Sequence, residues 1–302
     1  MGSILVIGSS NTDMVVKTSN FPTPGQTVLG GEFFMFPGGK GANQAVAASR
    51  CGAPVTMVGR VGADALGDSI LQNLLNEGID LAYLQRDVDA ATGVAQIVVD
   101  DQGRNTIVVA PGANGRLTAQ DVQRAKPAFV PASVLVVQLE IPLEAVETAI
   151  QMGNENKLII VLNPAPAQEL RPVLLRQVDY LILNQSELRL LSGESELQMA
   201  IRKLLDWDCN TILVTLGEDG TLLVDGQTQM HLKAYPVQAV DTVGAGDAFV
   251  GAFAASIAEG SPPLEAAMLG NAAGALAVTR AGAQSSLPYS EEIQLLRAIN
   301  RT

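Results

Sequence analysis

Val55-Thr56-Met57-Val58, followed by Asp64-Ala65-Leu66-Gly67-Asp68-Ser69-Ile70-Leu71-Gln72-Asn73-Leu74-Leu75-Asn76-Glu77-Gly78, sets the fold class. The first run is short, apolar and β-branched at its ends, the pattern of a strand buried on both faces. In the second, Leu66, Ile70 and Leu74 recur at fourfold spacing, and Gly78 supplies a helix stop. Similar runs at Ile4–Ile7, Val134–Val137, Leu158–Leu162, Leu181–Leu183 and Ile212–Val214 repeat the strand signal, with helical segments between them. The order β-α-β-α predicts an α/β fold, a mostly parallel sheet with helices on both faces.

Three segments break the rhythm. Gln96–Val99 and Asn105–Val109 flank Asp100-Asp101-Gln102-Gly103, a hairpin signature, and Asp13–Phe36 alternates around Pro22-Thr23-Pro24-Gly25. Together they predict a small β-lid, contributed by about 13–37 and 92–112, on one domain spanning 1–302. Thr221–Val224 and Met230–Leu232 around Asp225-Gly226 read as an antiparallel hairpin at the sheet's edge.

Composition narrows the function. Apolar residues are 47%, charged residues 17% and aromatics 4% of the 302 residues, so the core is built from aliphatic and small side chains. The formal charge of −12 repels nucleic-acid phosphates and anionic membranes, and neither is an expected partner. Cys51 and Cys209 lie far apart without metal-ligand spacing and read as free thiols in a reducing compartment. The N-terminal Met-Gly-Ser passes directly into Ile4–Ile7, without a basic leader or cleavage pattern, and no apolar stretch reaches the roughly 18 residues of a membrane span. A cytoplasmic protein is expected.

In an open α/β sheet, ligands lie beyond the carboxyl ends of the strands. Gln138 and Glu140 follow one apolar run, Asn163 a second, Asn184 a third, and Thr215 with Gly217 a fourth. Each alone is also explained as a turn residue or a cap; four together point to a shared site. The strongest local signal is Asp241-Thr242-Val243-Gly244-Ala245-Gly246-Asp247-Ala248-Phe249, leading into the small, apolar Val250–Ala258. Gly244 and Gly246 permit a tight turn, and the helix start offers free N–H groups to phosphate charge. Asp247 in the first turn is either a base for an attacking hydroxyl or a simple helix-start carboxylate.

Gly38-Gly39-Lys40-Gly41-Ala42-Asn43-Gln44 precedes the small-residue helix Ala45–Ser49. It is not a P-loop: no glycine stands five positions before Gly39, and Gly41 replaces the Ser or Thr that would ligate metal. It reads as a loop whose backbone approaches a ligand, with Lys40 and Asn43 as polar hands, although such glycines also serve helix packing. Asn11 and Asp13 close the first strand and suit a sugar diol or a turn. His231 is the only histidine, which leaves no His-based triad or zinc site.

Asn11-x-Asp13, Gly38–Asn43, Asn163-Pro164-Ala165-Pro166, Asn184-Gln185-Ser186-Glu187, Asp241–Asp247 and Thr279–Gln284, in this order, resemble the ribokinase (PfkB carbohydrate kinase) family over essentially the whole chain. The chain departs from the family pattern at Ala281, at Ser285 and at the bulky Met35-Phe36-Pro37. The resemblance implies a three-layer α/β/α sandwich with a small β-sheet lid, ATP-dependent phosphorylation of D-ribose at O5, and a homodimer formed through the lids. It implies that Asn11, Asp13, Gly39, Lys40, Asn43 and Glu140 bind the sugar and that Asp247 deprotonates it. Gly244, Ala245 and Gly246 would form the anion hole. Asn184, Thr215, Gly217, Gly220, Gly246 and Asn271 would meet the nucleotide, and Glu187 would hold Mg²⁺ through water. Asp241, Val243, Ala277, Arg280, Gly282 and Ser286 would bind a monovalent cation, K⁺. Fructose, deoxyribose or adenosine are alternative acceptors, the last requiring an aromatic platform for which Phe33, Phe34 and Phe36 are candidates. A non-catalytic sugar-binding regulator is the remaining alternative; it would have no use for a carboxylate beside an anion hole.

Overall fold

The computed structural model describes residues 2–226 and 228–300; Met1, Gln227, Arg301 and Thr302, included in the expected 1–302 domain, lie outside the described residues. The strands are β1 (Ser3–Ile7), β2 (Asn11–Thr18), β3 (Phe33–Gly38), β4 (Val55–Gly62), β5 (Asp80–Asp87), β6 (Gly93–Asp100) and β7 (Asn105–Ala110). They continue with β8 (Ala132–Val137), β9 (Ile159–Leu162), β10 (Tyr180–Asn184), β11 (Thr211–Thr215), β12 (Thr221–Asp225) and β13 (Thr228–Leu232). The longer helices are α1 (Lys40–Arg50), α2 (Ala65–Asn76), α3 (Leu143–Glu155), α4 (Gln185–Ser192), α5 (Leu197–Asp206), α6 (Ala245–Ala258), α7 (Pro263–Ala277) and α8 (Ser290–Ile299).

Nine strands form the main sheet in the order β13-β12-β11-β10-β9-β8-β1-β4-β5. Pairing is parallel from β11 through β5, and β12 and β13 add the expected antiparallel edge hairpin. Alternate strand residues feed two cores. Ile4, Val6, Val134 and Val136 pack with Phe249 and Phe253 of α6 and with α1 and α7; Leu5, Ile7, Leu135 and Val137 pack on the other face with Ile150 of α3 and Ile201 of α5. Each such aliphatic side chain contributes about 1.5–3 kcal/mol on burial, which fixes the strand register and the three-layer arrangement. In the segment quoted first, Asp64 caps α2 by accepting from Gly67 N at 2.8 Å, and Gly78 ends it at φ 75°.

A second sheet, in the order β3-β2-β6-β7, stands beside the first. β2 pairs antiparallel with β3 and parallel with β6, and β6 forms the expected hairpin with β7. β1 lies between β4 and β8, so the winding of the chain reverses there. The crevice beyond the carboxyl ends of β1 and β8 is therefore where an open α/β sheet receives its ligand.

One sequence expectation is corrected. The helix anticipated from Ala45 begins at Lys40, so Lys40 and Asn43 stand on the first turn of α1 and not on a free loop. Gly39 makes this early start possible: at φ 88° it turns the chain into the helix, and a Cβ there would come within 2.7 Å of Asn11 N.

Candidate active site

Two cavities meet at the start of α6. The first, about 390 Å³, is lined by Asn11 and Asp13 of β2, Gly39, Lys40 and Asn43 at the start of α1, Glu140, Asn184, Glu187, and Gly244, Gly246 and Asp247. The second, about 600 Å³, runs from Gly217 and Gly220 past Tyr235 and Val237 to Asn271 on α7. Thr215, Thr242 and Gly246 line both. Each volume suits a small-molecule site.

The residues expected to bind sugar thus share the first cavity. Glu140 Oε2 accepts from Lys40 N at 2.9 Å and from Ser9 Oγ at 2.5 Å, joining the start of α1 to the loop after β8. Burial and the nearby carboxylates of Glu140 and Asp247 push Asp13 up to about 7, against the opposing effect of Lys40. The Lys40 ammonium is held above its ordinary value, first by Asp247 and then, against desolvation, by Glu140, Glu187 and Asp13. It is a fixed cation among acids.

Asp247 is buried, with 6% of its surface exposed, and each carboxylate oxygen has a donor: Asn43 Nδ2 reaches Oδ2 at 2.9 Å and Gln44 Nε2 reaches Oδ1 at 2.9 Å. This distinguishes it from a plain capping carboxylate. Gly244 is the N-cap of α6 and makes no side-chain cap, so the amides of Gly244 to Asp247 have no intrahelical acceptor. A Cβ added at Gly246 would meet nothing within 4 Å beyond its chain neighbours and its own helix backbone. That glycine leaves room beside the helix-start amides, as a cradle for an anion requires; Ala245 N already makes a long bond to Thr242 O, at 3.4 Å.

Asn184 and Glu187 explain their own spacing. Asn184 Oδ1 accepts from Glu187 N at 2.9 Å and Glu187 Oε2 from Asn184 N at 2.9 Å, a reciprocal cap opening α4. Asn184 Nδ2 and Glu187 Oε1 are not used by the cap, and both residues line the first cavity. Burial raises the Glu187 pKa, opposed by the Asn184 backbone bond and by Lys40. Among the described residues, no group of three or more His, Cys, Asp and Glu side chains could hold a metal. One carboxylate lining a cavity that also holds the start of α6 fits Mg²⁺ held mainly by phosphates and water.

Of the residues expected around a monovalent cation, Asp241, Val243 and Gly282 are brought together, and Arg280 N donates to Ala277 O at 3.2 Å. Asp241 Oδ1 accepts from Val243 N at 3.0 Å and Oδ2 from Gly282 N at 2.9 Å, tying the turn before α6 to the loop after α7. Arg280 turns its guanidinium to Glu292, and the buried Ser286 donates to Ala283 O at 2.8 Å. Ala277 is fully buried. Backbone and hydroxyl oxygens with a single carboxylate are the donor chemistry a large monovalent ion takes.

Sequence reading passed over several residues. Asn114 Nδ2 donates to Asn11 Oδ1 at 2.7 Å, and Gln44 links Asp247 to Asn163 and Gln138. Ala95, Ile97, Ile107 and Val109 give the first cavity an apolar wall, with Ala95 opposite Val109 and Ile97 opposite Ile107. The alternation in Gln96–Val99 and Asn105–Val109 carried that signal. Phe33, Phe34 and Phe36 line neither cavity; Phe34 and Phe36 stack on each other at 5.9 Å. His231 sits on the edge hairpin with Nε2 2.6 Å from Asp219 O, and both cysteines are free.

A buried carboxylate at a helix start, between a polar pocket and a second cavity, on a three-layer α/β fold with a small flanking sheet, defines a small-molecule kinase. The pfkB family of carbohydrate kinases matches residues 1–289, and the chain belongs to it. It is 37% identical over 297 residues to a ribokinase of Staphylococcus aureus, covering 96% of this chain and 98% of that one. The structure of a ribokinase from Thermotoga maritima superposes with a TM-score of 0.92 at 38% identity, covering 99% of this chain and all of that one (100%). That of Arabidopsis thaliana ribokinase complexed with ribose and ATP gives 0.89 at 29% identity, covering 98% of each chain.

Proposed function

We propose that the protein transfers the γ-phosphoryl group of ATP to O5 of D-ribose, giving D-ribose 5-phosphate and ADP. The observation that carries this reading is the place of Asp247: a buried carboxylate in the first turn of α6, directly after Gly246, which lines both cavities. The full-length likeness to ribokinases, one of them complexed with ribose and ATP, supports ribose as acceptor.

Ribose occupies the first cavity, its hydroxyls facing Asn11, Asp13, Lys40, Asn43 and Glu140. The adenosine part of ATP occupies the second, near Gly217, Gly220 and Asn271, with Asn184 and Thr215 toward the phosphates. Asp247 takes the O5 proton as O5 bonds to the γ-phosphorus; the bond to the bridging oxygen breaks, and ADP leaves. Amides of Gly244, Ala245 and Gly246 offset charge on the transferring group. Glu187 would hold Mg²⁺ through water, and that ion supplies charge neutralisation at the phosphates. Asp241, Val243, Ala277, Arg280, Gly282 and Ser286 would hold K⁺, which supplies a fixed positive charge behind the same turn.

The small sheet acts as a lid that excludes water from competing as acceptor. Its outer face carries Phe33 and Met35 of β3 and Val108 of β7, exposed at 56%, 48% and 70%. This apolar face suits a homodimer through the lids. Among the described residues no helix is long and apolar enough to cross a membrane, and a cytoplasmic location accords with the substrates.

Coupled ADP-release assays with ribose, deoxyribose, fructose and adenosine, in K⁺ and in Na⁺, test the reading. The highest kcat/KM is expected with ribose. A preference for adenosine would overturn it, and the absence of Phe33, Phe34 and Phe36 from both cavities speaks against that outcome.

A further inference from the structure

Three buried primary amides run through the interior between α1, β8 and α6 and end on the Asp247 carboxylate. Their polarity is set at one point. Asn163 Nδ2 donates to the backbone carbonyl of Ile182 at 2.9 Å. A carbonyl only accepts, so Asn163 turns its oxygen toward Gln44, which must meet it with Nε2, at 3.0 Å. The same nitrogen has a second hydrogen, donated to Asp247 Oδ1 at 2.9 Å. Gln44 Oε1 then faces the other way and accepts from Gln138 Nε2 at 2.6 Å.

The run ends in an orphan. Gln138 Oε1 is buried with no partner among the described residues, where a Cβ on Gly8 would lie 2.0 Å away. Reversing Gln138 would set two oxygens against each other, so the unsatisfied acceptor is left at the end away from the acid. Packing holds the donor in place as well: a Cβ at Gly251 would come within 2.6 Å of Gln44 O, so this glycine lets α6 approach α1 closely. Gln44 is fully buried and lines neither cavity; it reaches the reaction only through Asp247.

We propose that Gln44 is a positioning residue for phosphoryl transfer, its amide oriented by the Ile182–Asn163–Gln44–Gln138 run so that it donates to Asp247 and fixes that carboxylate for the sugar hydroxyl. A flipped amide would present its oxygen to the carboxylate and push it aside. The requirement is for a donor, beyond a filled volume. The inference rests on Asp247 acting as the base.

The test compares Gln44→Met, Gln138→Met and Asp247→Asn in the full-length protein, measuring kcat and KM for ribose, ribose Kd by calorimetry, and Tm. Gln44→Met keeps length and bulk without the donor; kcat is expected to fall about 10- to 100-fold with ribose Kd within threefold of the parent. A purely structural role would instead move Tm and Kd and spare the turnover of folded enzyme. Gln138→Met, one amide further from the acid, is expected to lose less kcat, again with Kd unchanged, and it decides the matter if Gln44→Met does not fold. Parental kcat in the folded Gln44→Met protein, or in Gln138→Met where only that variant folds, with Asp247→Asn inactive, overturns the positioning role alone. An active Asp247→Asn overturns the base assignment and this inference with it.

Discussion

Asn114 and Asn11, 103 residues apart, are joined side chain to side chain, Nδ2 of the first donating to Oδ1 of the second at 2.7 Å. Asn114 also donates to Ser10 O at 3.0 Å and accepts from Ser10 N at 2.9 Å, so it closes the turn after β1 and presets the orientation of Asn11. Asn11 offers its amide nitrogen to the cavity because its oxygen is already engaged.

Asn114→Leu removes all three bonds and leaves the Ser10 amide buried and unpaired. Losing such partners destabilises by about 1–3 kcal/mol. Denaturant melts should show that loss, and KM for ribose should rise roughly tenfold, as about 1.4 kcal/mol of binding predicts. An unchanged KM in folded protein would mean that Asn11 does not depend on Asn114 to meet the sugar.

Gly246→Ala separates fold from chemistry. The added methyl meets nothing within 4 Å beyond its chain neighbours and its own helix backbone, and alanine favours a helix over glycine by about 1 kcal/mol at most, so Tm should hold or rise slightly. The same methyl enters the space beside the first-turn amides of α6. Turnover should fall about 100-fold or more, the scale of losing one oxyanion donor. Near-parental turnover would remove the phosphoryl group from this turn.

Asp13 gives the pH dependence a direction. Its carboxyl, raised to about 7, is protonated in free enzyme below that pH and ionised above it. Ribose hydroxyls donate to the ionised form, so binding below 7 must first expel the proton. KM for ribose is therefore expected to rise about tenfold per pH unit below 7 and to level off above it. Asp13→Asn should give a high KM that no longer follows this profile, and a flat KM in the parent from pH 5.5 to 8.5 would contradict the assignment.

Strand signals were legible wherever apolar runs were bounded by polar residues: Ile4–Ile7, Val134–Val137 and Ile212–Val214 all lie in the main sheet. The carboxyl-end rule then found Glu140, Asn184 and Thr215, because the rule depends only on strand direction. It could not find Asn114 or Gln44. Asn114 sits in a short 3-10 turn, a place where asparagine is ordinary, and Gln44 follows a glycine stretch that masks a helix start. Their roles arise from side chains meeting across 103 and 203 residues, and no local pattern encodes such pairings. The outward-facing polar ends of strands announce a site; the amides buried behind them do not.

Arg60 tests the ion-pair frame that links β4, β5 and the segment after β7. Its guanidinium bonds Asp87 at 2.7 Å and Asp121 at 2.8 Å, tying β4 to the end of β5 and to the cap of the short helix Ala119–Arg124. The Asp121 side chain is fully buried (0%) and the Asp87 side chain nearly so, at 3% exposure. Each acid keeps a second arginine, Arg116 for Asp87 and Arg124 for Asp121, but those arginines are 49% and 62% exposed. Arg60→Met therefore leaves two sequestered carboxylates with weaker partners. Breaking a buried pair outright costs about 3–5 kcal/mol; with the remaining arginines the loss should be about 2–3 kcal/mol. The cluster lines neither cavity, so kcat at a temperature where the variant stays folded should remain within about twofold of the parent, since surplus stability does not enter turnover. A collapse of kcat with Tm preserved would reveal a coupling from this cluster to the cavities.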